Sequence, residues 1–359
     1  IFTVMSSRIG LVMLGGNSMK EITKVVVDAM GGDNAPHEII KGAVEAVGKS
    51  DAIHVILVGK EDVINQELSG YTYNKEQISV VHTSEVIETA EPPVMAIRRK
   101  KDSSIVVGLK MVKDKEADAF VSAGSSGAVL AGGQLLVGRI KGVERPPLAP
   151  LIPTEKGFSI LIDCGANVDA RPSHLVQFAK MGSIYMEHIM GVKNPKVAIV
   201  NIGAEEEKGN ALVKETFPML KECKDINFTG SIEAREIPHG QADVIVCEAF
   251  TGNVILKLYE GVASVLVSKI KCGMKQNLRG MIGGLLVKPV LKKTMKDFDA
   301  SEYGGAPLLG LTGLVVKTHG SSKAKEVCNS ILQCVTFKEE GINEKIKECI
   351  QAEEKSAQE

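Results

Sequence analysis

The chain reads as an α/β protein built on a doubly wound, mostly parallel sheet, and three observations predict it. Short β-branched runs alternate with longer helical stretches along most of the chain. Several of these runs are apolar almost without interruption, as strands buried on both faces of a parallel sheet are. Most of them run directly into Gly, Asn, Asp or Ser, and in an open parallel sheet ligands sit beyond the carboxyl ends of the strands.

The first strand is expected at 24–28 (KVVVD) and ends in DAMGGDNAP. Pro36 suits the first turn of a helix, with Asn34 or Ala35 at its cap. Gly31 and Gly32 let backbone amides approach an anion closely. Asp33 reads either as orienting a neighbouring lysine or hydroxyl, or as plain turn chemistry. Strands at 53–58 (IHVILV), 78–82 (ISVVH) and 119–122 (AFVS) follow, the last leading into SAGSSGA. There Ser125, Ser126 and Gly127 offer donors to an anion at a helix start, a role compatible with simple capping. The strand at 159–163 (SILID) ends in DCGANVD, in which Asn167 is the best donor. The strand at 196–201 (KVAIVN) meets NIGAEEEKGN; Lys208 is either an ordinary surface lysine or a phosphate ligand. After 225–229 (DINFT), the strand at 243–247 (DVIVC) opens a long helical region through AFTGN, with Asn253 at its mouth. The last strand, 314–317 (LVVK), precedes His319, either a hydrogen-bond donor or acid, or a merely packed or solvent-facing histidine. Taken together, these loops suggest one lined crevice in a Rossmann-like plan.

Composition narrows the function. The formal net charge is -1 and Trp is absent, so neither bulk charge nor aromatic platforms favour a nucleic-acid partner. The seven cysteines include no CxxC and read as reduced thiols of a cytoplasmic protein. The histidines show no HxxxH or HExxH spacing, so no metal site is expected. GAVEAVGKS (42–50) has one residue too many for a phosphate-binding P-loop, and no GxGxxG follows the first strand. No cofactor is therefore expected. SAGSSGA is not a GxSxG nucleophile elbow. Residues 1–18 read as a disordered extension, 19–345 as a single α/β domain, and 346–359 as a charged tail.

One stretch stands apart. From 261 to 296 there are eight basic residues and no acidic one. Lys271, Lys275, Arg279, Lys292 and Lys293 alternate there with apolar residues such as Leu285 and Leu286. Such a helical insertion, about 258–300, can lie on an anionic membrane or dock an acidic protein. It can equally be a hairpin whose apolar face is core or dimer interface.

The motifs VDAMGGDNAP, RRKKDSS, SAGSSGA, GRIKGVERPPLAP, DCGANVDARPSHLVQFAKMGS, NIGAEEEKGN, AFTGNVILKLYEG and YGGAPLLGL…VVKTHGSS occur in this order. Through them the chain resembles the bacterial phosphate acyltransferase (PlsX) family. The resemblance implies a fold like phosphotransacetylase and the isocitrate/isopropylmalate dehydrogenases, with a protruding helical hairpin. It implies a homodimer that moves an acyl group from acyl carrier protein (ACP) to inorganic phosphate, at the membrane periphery, for phospholipid synthesis. Lys208 and Asn253 fall in the motifs expected to carry catalysis, with Asn167 and His319 in support. Phosphate binding then falls to Gly31, Gly32, Asp33, Ser125, Ser126 and Gly127. Two departures are visible: the family usually reads SAGNTGA where Ser125-Ser126 stand here, and DGFTGN where Glu248-Ala249 stand. Three rivals share these features: a phosphotransacetylase-like enzyme using a CoA thioester, a metal-dependent hydroxy-acid dehydrogenase, and a non-catalytic scaffold for ACP and membrane.

Overall fold

The computed structural model describes residues 21–297 and 300–356. The extension expected over 1–18 lies outside the described residues. In chain order the first part is β1 (Thr23–Asp28), α1 (His37–Val47), β2 (Ile53–Gly59), α2 (Glu61–Leu68), β3 (Ile78–His82), α3 (Pro93–Arg99), α4 (Ser104–Lys113) and β4 (Ala119–Ser122). It ends with α5 (Ser126–Gly132), which runs on as a π turn, Gly133–Val137. The middle part is β5 (Leu151–Thr154), β6 (Gly157–Ile162), α6 (Pro172–His188), β7 (Lys196–Asn201), α7 (Ala211–Glu222), β8 (Asn227–Glu233) and β9 (Val244–Val246). Then come α8 (Ala249–Lys275), α9 (Leu278–Asp297), β10 (Ala306–Leu308), β11 (Leu314–Lys317), α10 (Ala324–Glu339) and α11 (Ile342–Ser356).

The strands divide between two sheets, in the orders β10-β11-β4-β1-β2-β3 and β5-β6-β9-β7-β8. Every strand expected from the sequence is present, and all of those pair in parallel. The two further strands, β5 and β10, are antiparallel edges containing Pro153 and Pro307. Proline lacks a ladder donor and is confined to such edges, so a run read for propensity passes over them.

The continuous apolar runs have the cause proposed for them. Val25 and Val27 of β1 join the core beneath α1 and α10, whereas Val26 joins a second core beneath α4 and α5. The first core continues into the second sheet through Ile160, Ile162, Val197 and Val244. The segment 147–150 ties the sheets together. Its Ala149 N–H donates to Pro307 (3.1 Å), while the Cys164 N–H donates to Leu148 (2.9 Å). In α11, Ile342, Ile346 and Ile350 recur at helical spacing and are buried in that core, so the helix runs through the boundary at 345/346. By contrast α8 buries only Ala249 and Gly252.

Candidate active site

At the carboxyl end of the first sheet three side chains stand in a row. β4 lies between β1 and β11, with Val27 beside Val121 and Lys317 beside Ser122. In-register neighbours on a sheet share a face, so Asp28, Ser122 and Lys317 point the same way. The Ser122 hydroxyl donates to Asp28 Oδ2 at 2.7 Å and accepts the Gly124 N–H at 3.0 Å. Burial pushes the Asp28 carboxyl above the usual range, against hydrogen bonds from Ser104, Ser122 and the Met30 and Gly31 amides. Lys317 is also buried, and desolvation lowers its pKa to about 8.

The loops over this row touch backbone to backbone. A Cβ at Gly31 would lie 2.2 Å from Asp28 Oδ2 and 2.7 Å from Gly124 Cα, so only glycine fits. Gly32 adopts φ +104, and the Asp33 N–H donates to Gly320 at 2.7 Å. Asn34 donates to the Ser321 and Ser322 carbonyls at 2.9 and 3.2 Å. Pro36, expected in the first helical turn, instead occupies the N-cap of α1. Ser125 caps α5 by accepting the Ala128 N–H at 3.4 Å. His319 accepts the Ser321 N–H on Nδ1 at 3.2 Å, which leaves the proton of a neutral ring on Nε2. Thus Gly31, Gly32, Asp33, Ser125, Ser126, Gly127 and His319 all sit at the carboxyl end of one sheet.

The second sheet presents an equivalent edge. Asp163, fully buried, accepts four N–H bonds: Leu148 (2.9 Å) and Ala166 (3.2 Å) on Oδ1, and Asn167 backbone and side chain (both 2.8 Å) on Oδ2. Burial nevertheless pushes its carboxyl upward. The other Asn167 amide hydrogen goes to the Pro146 carbonyl at 2.9 Å. Both of its donors are therefore spent on holding the loop, which makes Asn167 a positioning residue. Lys208 is 47% exposed and pairs with Glu205 at 2.8 Å, which raises its pKa. Asn201 holds the Lys208 carbonyl at 3.2 Å. Neighbouring buried thiols, Cys164 and Cys247, are driven well above their ordinary pKa by desolvation and stay protonated.

Asn253 lies one turn into α8 and is exposed, its amide making no hydrogen bond among the described residues. It stands beyond β9, whose hydrogen-bonded neighbour β7 leads to Lys208. Lys257 lies four residues on, on the same helix face. That lysine is close enough to Lys317 to help depress it by like-charge repulsion. The Lys257 ammonium pairs with Glu260 at 2.8 Å.

The site residues expected from sequence thus fall at the strand ends of two sheets and at the start of α8, and those expected to dock membrane or carrier lie on α8 and α9. Leu285 and Leu286 are 72% and 74% exposed, and Lys271, Lys275, Arg279, Lys292 and Lys293 are exposed beside them. Sequence reasoning passed over Lys317, because a lysine ending a strand ordinarily reaches solvent. No cluster of metal-ligating side chains occurs among the described residues.

The architecture defines the class first. The fold is that of phosphotransacetylases: it superposes on the enzyme from Streptococcus pyogenes with TM-score 0.60 over 89% of this chain and 94% of that one, at 16% identity. The EutD phosphotransacetylase from Staphylococcus aureus gives TM-score 0.56 at 17% identity, covering 89% of this chain and 94% of that one. Residues 23–345 match the family described as "Fatty acid synthesis protein". Proteins named phosphate acyltransferase from Clostridium novyi (strain NT) and Alkaliphilus oremlandii (strain OhILAs) are 54% and 55% identical to it. The alignments cover 91% and 90% of this chain and 98% and 96% of theirs. The chain belongs to the phosphate acyltransferase (PlsX) family and is an acyltransferase of fatty acid and phospholipid synthesis.

Proposed function

We propose that this enzyme transfers a long-chain acyl group from acyl-ACP to inorganic phosphate, releasing acyl phosphate and the ACP thiol. The observation that carries the reading is the family match over residues 23–345, set on a phosphotransacetylase-like fold whose strands end in small-residue loops. Phosphate is itself the nucleophile, so no covalent serine or cysteine is called for. A phosphate oxygen bonds to the thioester carbonyl carbon, and the thiolate leaves. The protein's task is orientation, which contributes about 7–11 kcal/mol when geometry is good. In this reading the backbones around Gly31, Gly32 and Ser125–Gly127 hold phosphate with Lys208. Asp33 orients these groups, Asn253 serves the developing oxyanion, and Asn167 and His319 support them.

The exposed, basic and apolar α8–α9 region is read as a peripheral membrane and ACP docking surface of a cytoplasmic homodimer. An 18-residue window of α8 has mean hydropathy 1.3 and is scarcely buried. Its basic partners suit an acidic carrier or anionic lipid.

The test is release of free ACP thiol from palmitoyl-ACP with and without inorganic phosphate, beside palmitoyl-CoA, with acyl phosphate trapped by hydroxylamine. Phosphate-dependent release from palmitoyl-ACP is expected. Preference for palmitoyl-CoA would transfer the assignment to a phosphotransacetylase-like donor. Binding of acyl-ACP without release would leave a scaffold.

A further inference from the structure

Lys317 is 7% exposed at the end of a central strand, where its side chain shares a face with Ser122 and Asp28. Its ammonium donates to the Thr318 carbonyl, and no carboxylate pairs with it among the described residues. A buried ammonium with spare donors is unfavourable unless something answers it. The adjoining Thr318 is 2% exposed and its hydroxyl has no hydrogen-bond partner among the described residues, but its side chain lies with Val316 on the opposite face of the strand. One incompletely satisfied ammonium is therefore buried where the strands end, at the foot of the loops 122–127 and 318–322.

We propose that Lys317 is a further phosphate-holding residue of the acyl-transfer site, its ammonium donating to the acceptor phosphate. This rests on the reading that inorganic phosphate is the acceptor, and extends it to a residue outside the set assigned above. A dianion supplies acceptors for the spare ammonium donors and replaces hydration that the buried group lacks. The charged groups acting on Lys317 are Glu326 on α10, Asp28 and Asp33 around β1, and Lys257 on α8. Because the amine is only partly protonated near pH 8, phosphate binding there draws a proton onto it.

The experiment is calorimetric titration of the intact enzyme with inorganic phosphate near pH 8, in two buffers of different ionisation enthalpy. Wild type takes up a fraction of a proton per phosphate bound. Lys317→Met loses that uptake and binds phosphate about 10- to 100-fold more weakly. Its KM for phosphate rises while its KM for the acyl donor holds. Lys317→Arg, permanently charged, recovers binding without proton uptake. Wild-type affinity and proton count in a cooperatively melting Lys317→Met would overturn the proposal. So would absence of buffer-dependent heat in wild type, whatever the variants do. Phosphate binding with proton uptake but no acyl transfer would sink the proposed function alone.

Discussion

The α8 helix starts against the second sheet at Gly252, and that contact can be tested. A Cβ placed on Gly252 would stand 1.9 Å from the Asp163 carbonyl oxygen and 3.0 Å from Cys247 Sγ. Ordinary contact is about 3.5 Å, so Gly252→Ala requires the helix to retreat by roughly 1.5 Å. The obstacle is backbone, which cannot rotate away. Overpacking of this kind costs about 1–3 kcal/mol, well above the 0.5–1 kcal/mol that alanine returns in a helix interior. Asn253 follows directly and moves with the helix. A displacement near 1 Å of a catalytic group lowers turnover on the order of 100-fold. Gly261 lies in the same helix, exposed, with nothing within 4 Å of an added Cβ. Gly261→Ala is therefore expected to stabilise by about 0.5–1 kcal/mol and leave turnover unchanged. Thermal melts and phosphate-dependent thiol release on both variants make the assay. Gly252→Ala matching wild type in both would refute the seating of α8 on Asp163 and the dependence of Asn253 upon it.

Two further outcomes follow from the buried polar groups. Asn167→Ala removes the donors to Pro146 and Asp163 from a buried site and is expected to destabilise by about 1–3 kcal/mol in denaturant unfolding; unchanged stability rejects the clamp. The Lys317 pKa, about 8 folded against 10.5 ordinarily, means that the unfolded chain binds more protons between those values, so stability rises with pH across that window. Lys317→Met is then more stable than wild type at neutral pH, on the order of 3 kcal/mol, and the gap closes toward pH 10.5; a pH-independent gap refutes the assignment.

The parallel strands were legible because Val25, Val26 and Val27 each face a core, leaving an unbroken apolar run. Sheet membership was not, since a β-branched run records burial but not its neighbour; β5 and β10 escaped for their prolines. The glycine and serine loops do lie at strand ends, but divided between two sheets, which the sequence did not announce. Lys317 and Asp163 did not announce themselves. Whether a strand-end lysine is buried depends on segments distant in sequence, here the end of β4 that pairs beside it at Ser122. The spending of Asn167 on Asp163 and Pro146 likewise needs the crossing segment 147–150 in place. The isoleucine stripe of α11 was hidden by the charged residues around it.

The two departures from the family's usual motifs bear on where phosphate goes. Ser125 stands where asparagine is usual, and either side chain caps a helix well. Its hydroxyl takes the Ala128 N–H, while the Ser126 and Gly127 amides have no acceptor among the described residues. Glu248 stands where aspartate is usual and does the same work at α8 with a longer arm. Its carboxylate accepts the Phe250 N–H at 2.6 Å, the Thr251 N–H at 3.1 Å and the Thr251 hydroxyl. A helix start already closed by its own carboxylate repels an incoming dianion, whereas the uncharged α5 start leaves donors open. On the proposed function, phosphate is therefore expected on the α5 and Lys317 side. In that reading the contribution of α8 is its Asn253 side chain, proposed for the acyl carbonyl, rather than its helix terminus.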